Sequence, residues 1–153
     1  MPIIECVKIH YSHAVVRRCS EQGCELGVGD LENHVILKGE KLSEGRVEIC
    51  DCIIFLVSDY VTVGIVELKS GAAHAREIKK KLENGSKIAV QILKKCKAIN
   101  TRLEFFHIAL CRGWRSSERL IIRKSKIELK GKKYPIIPKS CGTSFSDIIR
   151  ALR

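Results

Sequence analysis

Asp51, Glu67 and Lys69 are the residues of this chain whose types and spacing could do chemistry. They lie in "CDCIIFLVSDYVTVGIVELKSG", residues 50–71, where most other positions are Val, Ile, Leu, Phe, Cys or Gly. The runs "RVEICDCIIFLV" (46–57) and "VTVGIVELK" (61–69) read as strands, and "SDY" between them as a tight reversal, so the segment predicts an antiparallel hairpin. Side chains alternate along a strand, which puts Glu67 and Lys69 on one face while Leu68 points the other way. Positions equally distant from the turn are cross-strand neighbours, and this brings Asp51 beside Glu67.

Two buried carboxylates in contact repel, and one must bind a proton unless a cation lies between them. The expected cation is hard and divalent, Mg²⁺ or Mn²⁺, held by Asp51, Glu67, the backbone carbonyl of Leu68 and water. Lys69, at the same end, would orient or activate water and offset charge that develops on a phosphate. The chemistry predicted is metal-dependent cleavage of a phosphodiester. The competing expectation is an exposed strand end with a Glu–Lys surface pair worth roughly 0–1 kcal/mol.

The flanking sequence predicts the elements that must carry these residues. "YSHAVVRRCSEQ" (11–22) predicts a short helix stopped by Gly23. "HVILK" (34–38) predicts a strand, and the hairpin follows it. Residues 72–96 have helical spacing, with Ala75, Ile78, Leu82, Ile88, Ala89 and Ile92 on or near one face and Asn84-Gly85 as a kink or break. "LEFFHIALC" (103–111) predicts a strand, "RGWRSSER" (112–119) a basic loop, and 120–138 one or two strands turning at Gly131. "SFSDIIRALR" predicts a closing helix capped by Ser144 or Ser146. Helix, three strands, helix, strand is the pattern of an α/β fold, a central mixed β-sheet flanked by helices, here with a basic C-terminal β extension.

"CDCIIF", then "VTVGIVELKSG", then a helix resembles the core of the PD-(D/E)XK nuclease superfamily, which includes restriction endonucleases, Holliday-junction resolvases and repair and defence nucleases. The resemblance covers about residues 12–111 and implies a restriction endonuclease-like αβββαβ core. It implies that Asp51 is the metal-binding acid of the second strand, Glu67 that of the third, and Lys69 the catalytic lysine. Cys50 stands where the family's name has proline, a position with no chemical role. The family often adds an acid from the first helix, for which Glu21 is the best match and Glu25 its rival. A glutamine soon after the lysine has no counterpart, since Gln91 lies far down the helix. The implied activity is that of a Mg²⁺- or Mn²⁺-dependent nuclease acting on DNA ahead of RNA. The alternatives are an inactive nucleic-acid-binding module of the same fold, or a subunit of a larger complex.

Charge points the same way. The chain has 28 Lys plus Arg against 17 Asp plus Glu, a net charge of +11, which favours a polyanionic partner. Arg112, Arg115, Arg119, Arg123, Lys124, Lys126, Lys130, Lys132 and Lys133 crowd one region containing only Glu118 and Glu128, and are expected to grip phosphates. His74, at the start of the long helix near Lys69, is a further candidate phosphate contact. Aromatics are 5% of the chain, so stacking on bases is a minor expectation, and Trp114 and Tyr134 are expected to pack on the domain.

A length of 153 residues with 45% hydrophobic content predicts one domain. No apolar run spans a bilayer and "MPIIECVKIHYSH" lacks signal-peptide organisation, so a cytoplasmic location is expected, with no membrane partner and a second copy of the chain as a candidate partner. Abundant Lys, Glu, Ile and Arg with two Gln resembles hyperthermophile composition, in which intracellular disulfides occur. Of the eight cysteines, most are expected as small buried apolar residues, with Cys19–Cys24 as a candidate disulfide. The spacings form no paired C-x-x-C zinc set, and Cys19, Cys24 and Cys141 alone do not supply the cluster of the family's iron–sulfur members.

Overall fold

In the computed structural model, which describes residues 2–29, 31–43 and 47–152, helix α1 (Ile3–His10) opens the chain and a single 3-10 turn (Ser12–Ala14) leads to β1 (Val15–Val16). A small hairpin, β2 (Cys19–Glu21) and β3 (Cys24–Leu26), follows, then β4 (His34–Lys38) and the one-turn helix α2 (Gly39–Ser43). Next come β5 (Cys52–Val57), β6 (Val61–Lys69), the long helix α3 (Ala75–Lys95) and β7 (Leu103–Cys111). Helix α4 (Ser116–Lys124), β8 (Lys126–Leu129), β9 (Lys132–Ser140) and α5 (Phe145–Ala151) complete the chain.

The fold is α/β around a mixed sheet of order β1-β4-β5-β6-β7-β9-β8. The pairs β1–β4, β4–β5 and β5–β6 are antiparallel, β6–β7 and β7–β9 are parallel, and β8 closes the edge antiparallel to β9. A parallel β6–β7 pair needs a crossover, and α3 supplies it. Ile53 and Phe55 of β5 and Val63 and Ile65 of β6 pack towards Ile78, Leu82, Ala89 and Leu93 of α3. The alternate residues Ile54, Val66, Leu68, Ile108 and Leu110 pack against Phe145, Ile148 and Ile149 of α5 and Leu26 of the small hairpin. Both faces of β6 are therefore covered, which is why its sequence is a continuous apolar run and why the charges at its end stand out.

Several expectations are corrected. Residues 11–22 are not a helix: the β-branched pair Val15-Val16 adds an edge strand to β4, and Cys19–Glu21 pairs with Cys24–Leu26. Gly23 does not stop a helix but closes a two-residue hairpin turn, with positive φ at both Gln22 (48°) and Gly23 (82°). Glu21 thus sits on a strand. The second strand begins at Cys52, not at residue 46; Arg46 lies outside the described residues, and Val47–Asp51 runs along α3, where Cys50 N–H donates to the Lys81 carbonyl (3.2 Å).

Asn84-Gly85 does not split α3, which runs unbroken from Ala75 to Lys95. Asn84 Nδ2 donates to the Glu48 carbonyl (2.5 Å), and a Cβ on Gly85 would collide with Cys50 Sγ, so this pair lets residues 48–50 lie against the helix. Ser116–Lys124, expected as basic loop running into strand, is helix α4, whose Glu118 Oε2 accepts from the first α3 amide, Ala75 N–H (3.0 Å). The Gly131 turn is present between β8 and β9, and Ser144 caps α5 by accepting from Asp147 N–H (3.1 Å).

Cys19 does not pair with Cys24, because the hairpin register sets Cys19 opposite Leu26 and turns both thiols towards the main sheet. The disulfides are Cys6–Cys96, Cys19–Cys52 and Cys24–Cys141, and Cys50 and Cys111 are free and buried. Among the described residues no helix is long and apolar enough to cross a membrane.

Candidate functional site

The β5–β6 register, Cys52 opposite Val66 and Ile53 opposite Ile65, continued by one residue sets Asp51 opposite Glu67, as the hairpin reading predicts. Asp51 Oδ2 accepts a 2.7 Å hydrogen bond from Leu68 N–H, and the two carboxyls of Asp51 and Glu67 are within hydrogen-bonding reach of each other. Glu67 is only 2% exposed. Its Oε2 lies 3.3 Å from Lys69 Nζ and 3.4 Å from Lys81 Nζ, whereas its buried Oε1 has no hydrogen-bond donor among the described residues. These groups open onto a cleft of about 410 Å³ lined also by Glu21 and Lys38.

Burial raises the Glu67 carboxyl above its ordinary range, and the neighbouring Asp51 charge adds to the rise, while Lys81 and Lys69 work against it. Burial likewise raises Asp51, opposed by the Leu68 N–H and by the bond shared with Glu67. A shared proton or a bound cation satisfies such a pair, and two free carboxylates do not. Burial, with Glu67 and Asp51 beside it, also raises the Cys50 thiol, which leaves that sulfur protonated and unreactive.

Glu21 reaches the cleft from β2 but is engaged by Lys38 Nζ at 3.5 Å. Its rival Glu25 points away and pairs with Arg18. His74 occupies the cap position of α3, exposed and making no capping bond, and does not line the cleft. Arg112 lies where β7 ends, its guanidinium against Gly23 beside the Glu21 strand. Arg115, Arg123, Lys124, Lys126, Lys130, Lys132 and Lys133 are exposed on α4, β8, β9 and their connections, while Arg119 is half-buried with Nε unpartnered. Trp114 and Tyr134 pack on the core, Trp114 Nε1 donating to the Lys139 carbonyl at 2.8 Å. Among the described residues no three His, Cys, Asp or Glu side chains converge at metal-ligating spacing.

Sequence reasoning missed Glu77 and Lys81. Both project from α3 at i,i+4 spacing, and Glu77 Oε1 lies 3.1 Å from Lys69 Nζ and 3.2 Å from Lys81 Nζ. The signal was present in the helical phase. Lys81 follows Ile78 by three residues and precedes Gly85 by four, which sets it beside the buried stripe, whereas Lys80 of the same run is exposed. Glu67 and Glu77 raise the Lys81 ammonium above its ordinary value against the opposing effect of burial, and hydrogen bonds from Lys69 and Lys81 lower the Glu77 carboxyl. Neither a protein-family model, nor a curated protein, nor a solved structure matches this chain.

Proposed function

We propose that this chain is a metal-dependent nuclease that hydrolyses phosphodiester bonds in nucleic acid, DNA ahead of RNA, with a restriction endonuclease-like core of PD-(D/E)XK type. The observation that carries the reading is the pairing of Asp51 with Glu67 beside Lys69, with Glu67 Oε1 buried and without a hydrogen-bond donor among the described residues. A buried carboxylate oxygen without a donor is costly, and a hard cation between the two acids removes both that cost and their repulsion. Two carboxylates, the Leu68 carbonyl and water suit Mg²⁺ or Mn²⁺, because Mg²⁺ is commonly bound by one or two carboxylates and keeps several waters. The ion's contribution is Lewis-acid polarisation of the phosphate and a more acidic attacking water.

The protein's own contributions follow from its contacts. Leu68 N–H fixes the Asp51 carboxyl to the Glu67-Leu68-Lys69 tripeptide, so both acids and the lysine move as one unit. Lys69, 19% exposed on the cleft wall, carries its charge to where a phosphate oxygen gains charge during hydrolysis. The exposed cations of α4, β8 and β9 hold backbone phosphates without reading sequence. The order β4, β5, β6, α3, β7 fits the three strands, helix and strand of the superfamily core, with the preceding helix at Ile3–His10 and the third acid, Glu21, on a hairpin instead.

A second reading, a binding module that does not cut, draws on the Lys38–Glu21 pair, which occupies the candidate third acid. Fluorescent DNA and RNA oligonucleotides, single-stranded and duplex, incubated with Mg²⁺, Mn²⁺ or EDTA, separate the two. Metal-dependent cleavage of DNA supports the nuclease, whereas metal-independent binding without products supports the module.

A further inference from the structure

Lys69 and Lys81 are matched to each other. Lys69 Nζ lies 3.3 Å from Glu67 Oε2 and 3.1 Å from Glu77 Oε1, and Lys81 Nζ lies 3.4 Å and 3.2 Å from the same two oxygens. The two carboxylates are otherwise unlike. Glu67 is 2% exposed and fixed on β6, whereas Glu77 is 40% exposed on the first turn of α3. Both lysines line the cleft, and Glu77 does not.

From this arrangement we infer that Lys69 and Lys81 form a two-ammonium site for one phosphate group, and that the Glu77 carboxylate occupies it when no phosphate is bound. An ammonium has three donors and no acceptor, so an anion bridging two of them is the natural occupant, and a phosphate oxygen can replace a carboxylate oxygen there. The exchange is anion for anion. It leaves the two lysines compensated before and after, and the side chain it frees is the less buried of the two carboxylates. Glu67 keeps both ammonium groups in place through the exchange, since it is buried and cannot follow Glu77 outwards. The site deepens the nuclease reading, on which its choice of a nucleic-acid phosphodiester as ligand rests. It assigns Lys81 to grip that phosphate beside Lys69, and Glu77 to compete with it.

The test uses inorganic phosphate as the probe, at low salt with EDTA present, followed by ³¹P NMR titration and by the ammonium signals of Lys69 and Lys81. Glu77→Gln is expected to bind phosphate about threefold to fivefold more tightly than wild type, and Lys81→Met about threefold to fivefold more weakly, the size of one partly exposed charge pair made or lost. The two ammonium signals should shift on phosphate addition in wild type and further in Glu77→Gln. Lys81→Arg should restore binding lost in Lys81→Met. Equal phosphate affinity in all the variants, or ammonium signals that stay still as phosphate binds elsewhere on the basic surface, overturns the inference. Because no metal is present, these results stand apart from cleavage: a chain that never cuts can still show the Glu77 competition, and one that cuts can lack it.

Discussion

Leu68 donates its backbone N–H to Asp51 Oδ2 at 2.7 Å, so the residue between Glu67 and Lys69 holds the acid of the opposite strand. Asp51 cannot turn away from Glu67 without leaving a buried N–H unsatisfied, at a cost of about 1–3 kcal/mol. The two carboxyls are therefore kept together although their charges repel.

That constraint gives the metal-free protein a pH dependence. The folded-state Glu67 carboxyl titrates above its ordinary value of 4.5, so the folded chain binds more protons than the unfolded chain as pH rises from there. The favourable contribution of the protonated pair is fully present at acid pH and is lost as pH rises through the shifted midpoint. Glu67→Gln should match wild type near pH 4 and become progressively more stable than wild type as pH rises to 8, as thermal unfolding in EDTA will measure. A stability difference that shrinks with rising pH would mean that the two lysines outweigh burial and Asp51.

The hairpin, the order of elements after it and the Asp51–Glu67 pairing could all be read from the sequence, because the tight reversal at Ser58–Tyr60 makes residues equally distant from it cross-strand neighbours. Residues 11–22 could not. Their apolar positions suit a helix, whereas long-range ties, Cys19 to Cys52, Cys24 to Cys141 and Gly142 N–H to the Glu25 carbonyl (2.8 Å), together with the Gln22-Gly23 turn, hold a strand pair on the sheet. Glu77 and Lys81 were hidden for another reason: a run of charged helix residues does not announce which members face a strand end until the helix is docked. Gly85 read as a break because its role is a contact with Cys50, far from it in the sequence.

The hairpin bearing Glu21 should depend on those two disulfides. Cys52 follows Asp51 directly and is bonded to Cys19, two residues before Glu21, so one bridge ties both acids to the same point of the sheet. Closing loops across separations of 33 and 117 residues stabilises by roughly 3.5–5 kcal/mol each on a chain-entropy basis. Replacing Cys19 with Ser is expected to lower Tm by about 8–16 °C for a chain of this size. Hydrogen exchange should rise across residues 19–26 and stay slow in β6 and β7. Unchanged protection of 19–26 would show that apolar contacts alone hold the hairpin.

His107 should act in the opposite pH direction to Glu67. Its ring is fully buried beside Phe105 and Tyr134, with Nε2 2.5 Å from Ser86 Oγ and Nδ1 without a hydrogen-bond partner among the described residues. Burial pushes its pKa down from 6.5 to about 4. The unfolded chain binds a proton that the folded chain refuses between these values, so stability is complete above pH 6.5 and falls by about 3 kcal/mol as pH drops towards 4. The double variant Ser86→Ala with His107→Leu removes both partners together and should lose this acid slope relative to wild type. A slope that persists in the variant assigns it to another group.

Cleavage of labelled DNA by wild type and by Glu67→Gln, each with Mg²⁺ and with EDTA, tests the central claim most directly. Wild type should cut only with metal. Glu67→Gln, with an unchanged circular dichroism spectrum, should cut at background rate while still binding DNA, since the exposed cations of α4, β8 and β9 are untouched. A folded Glu67→Gln protein that cuts DNA at the wild-type rate, or a wild type that leaves every substrate intact with Mg²⁺ and Mn²⁺, would contradict the account.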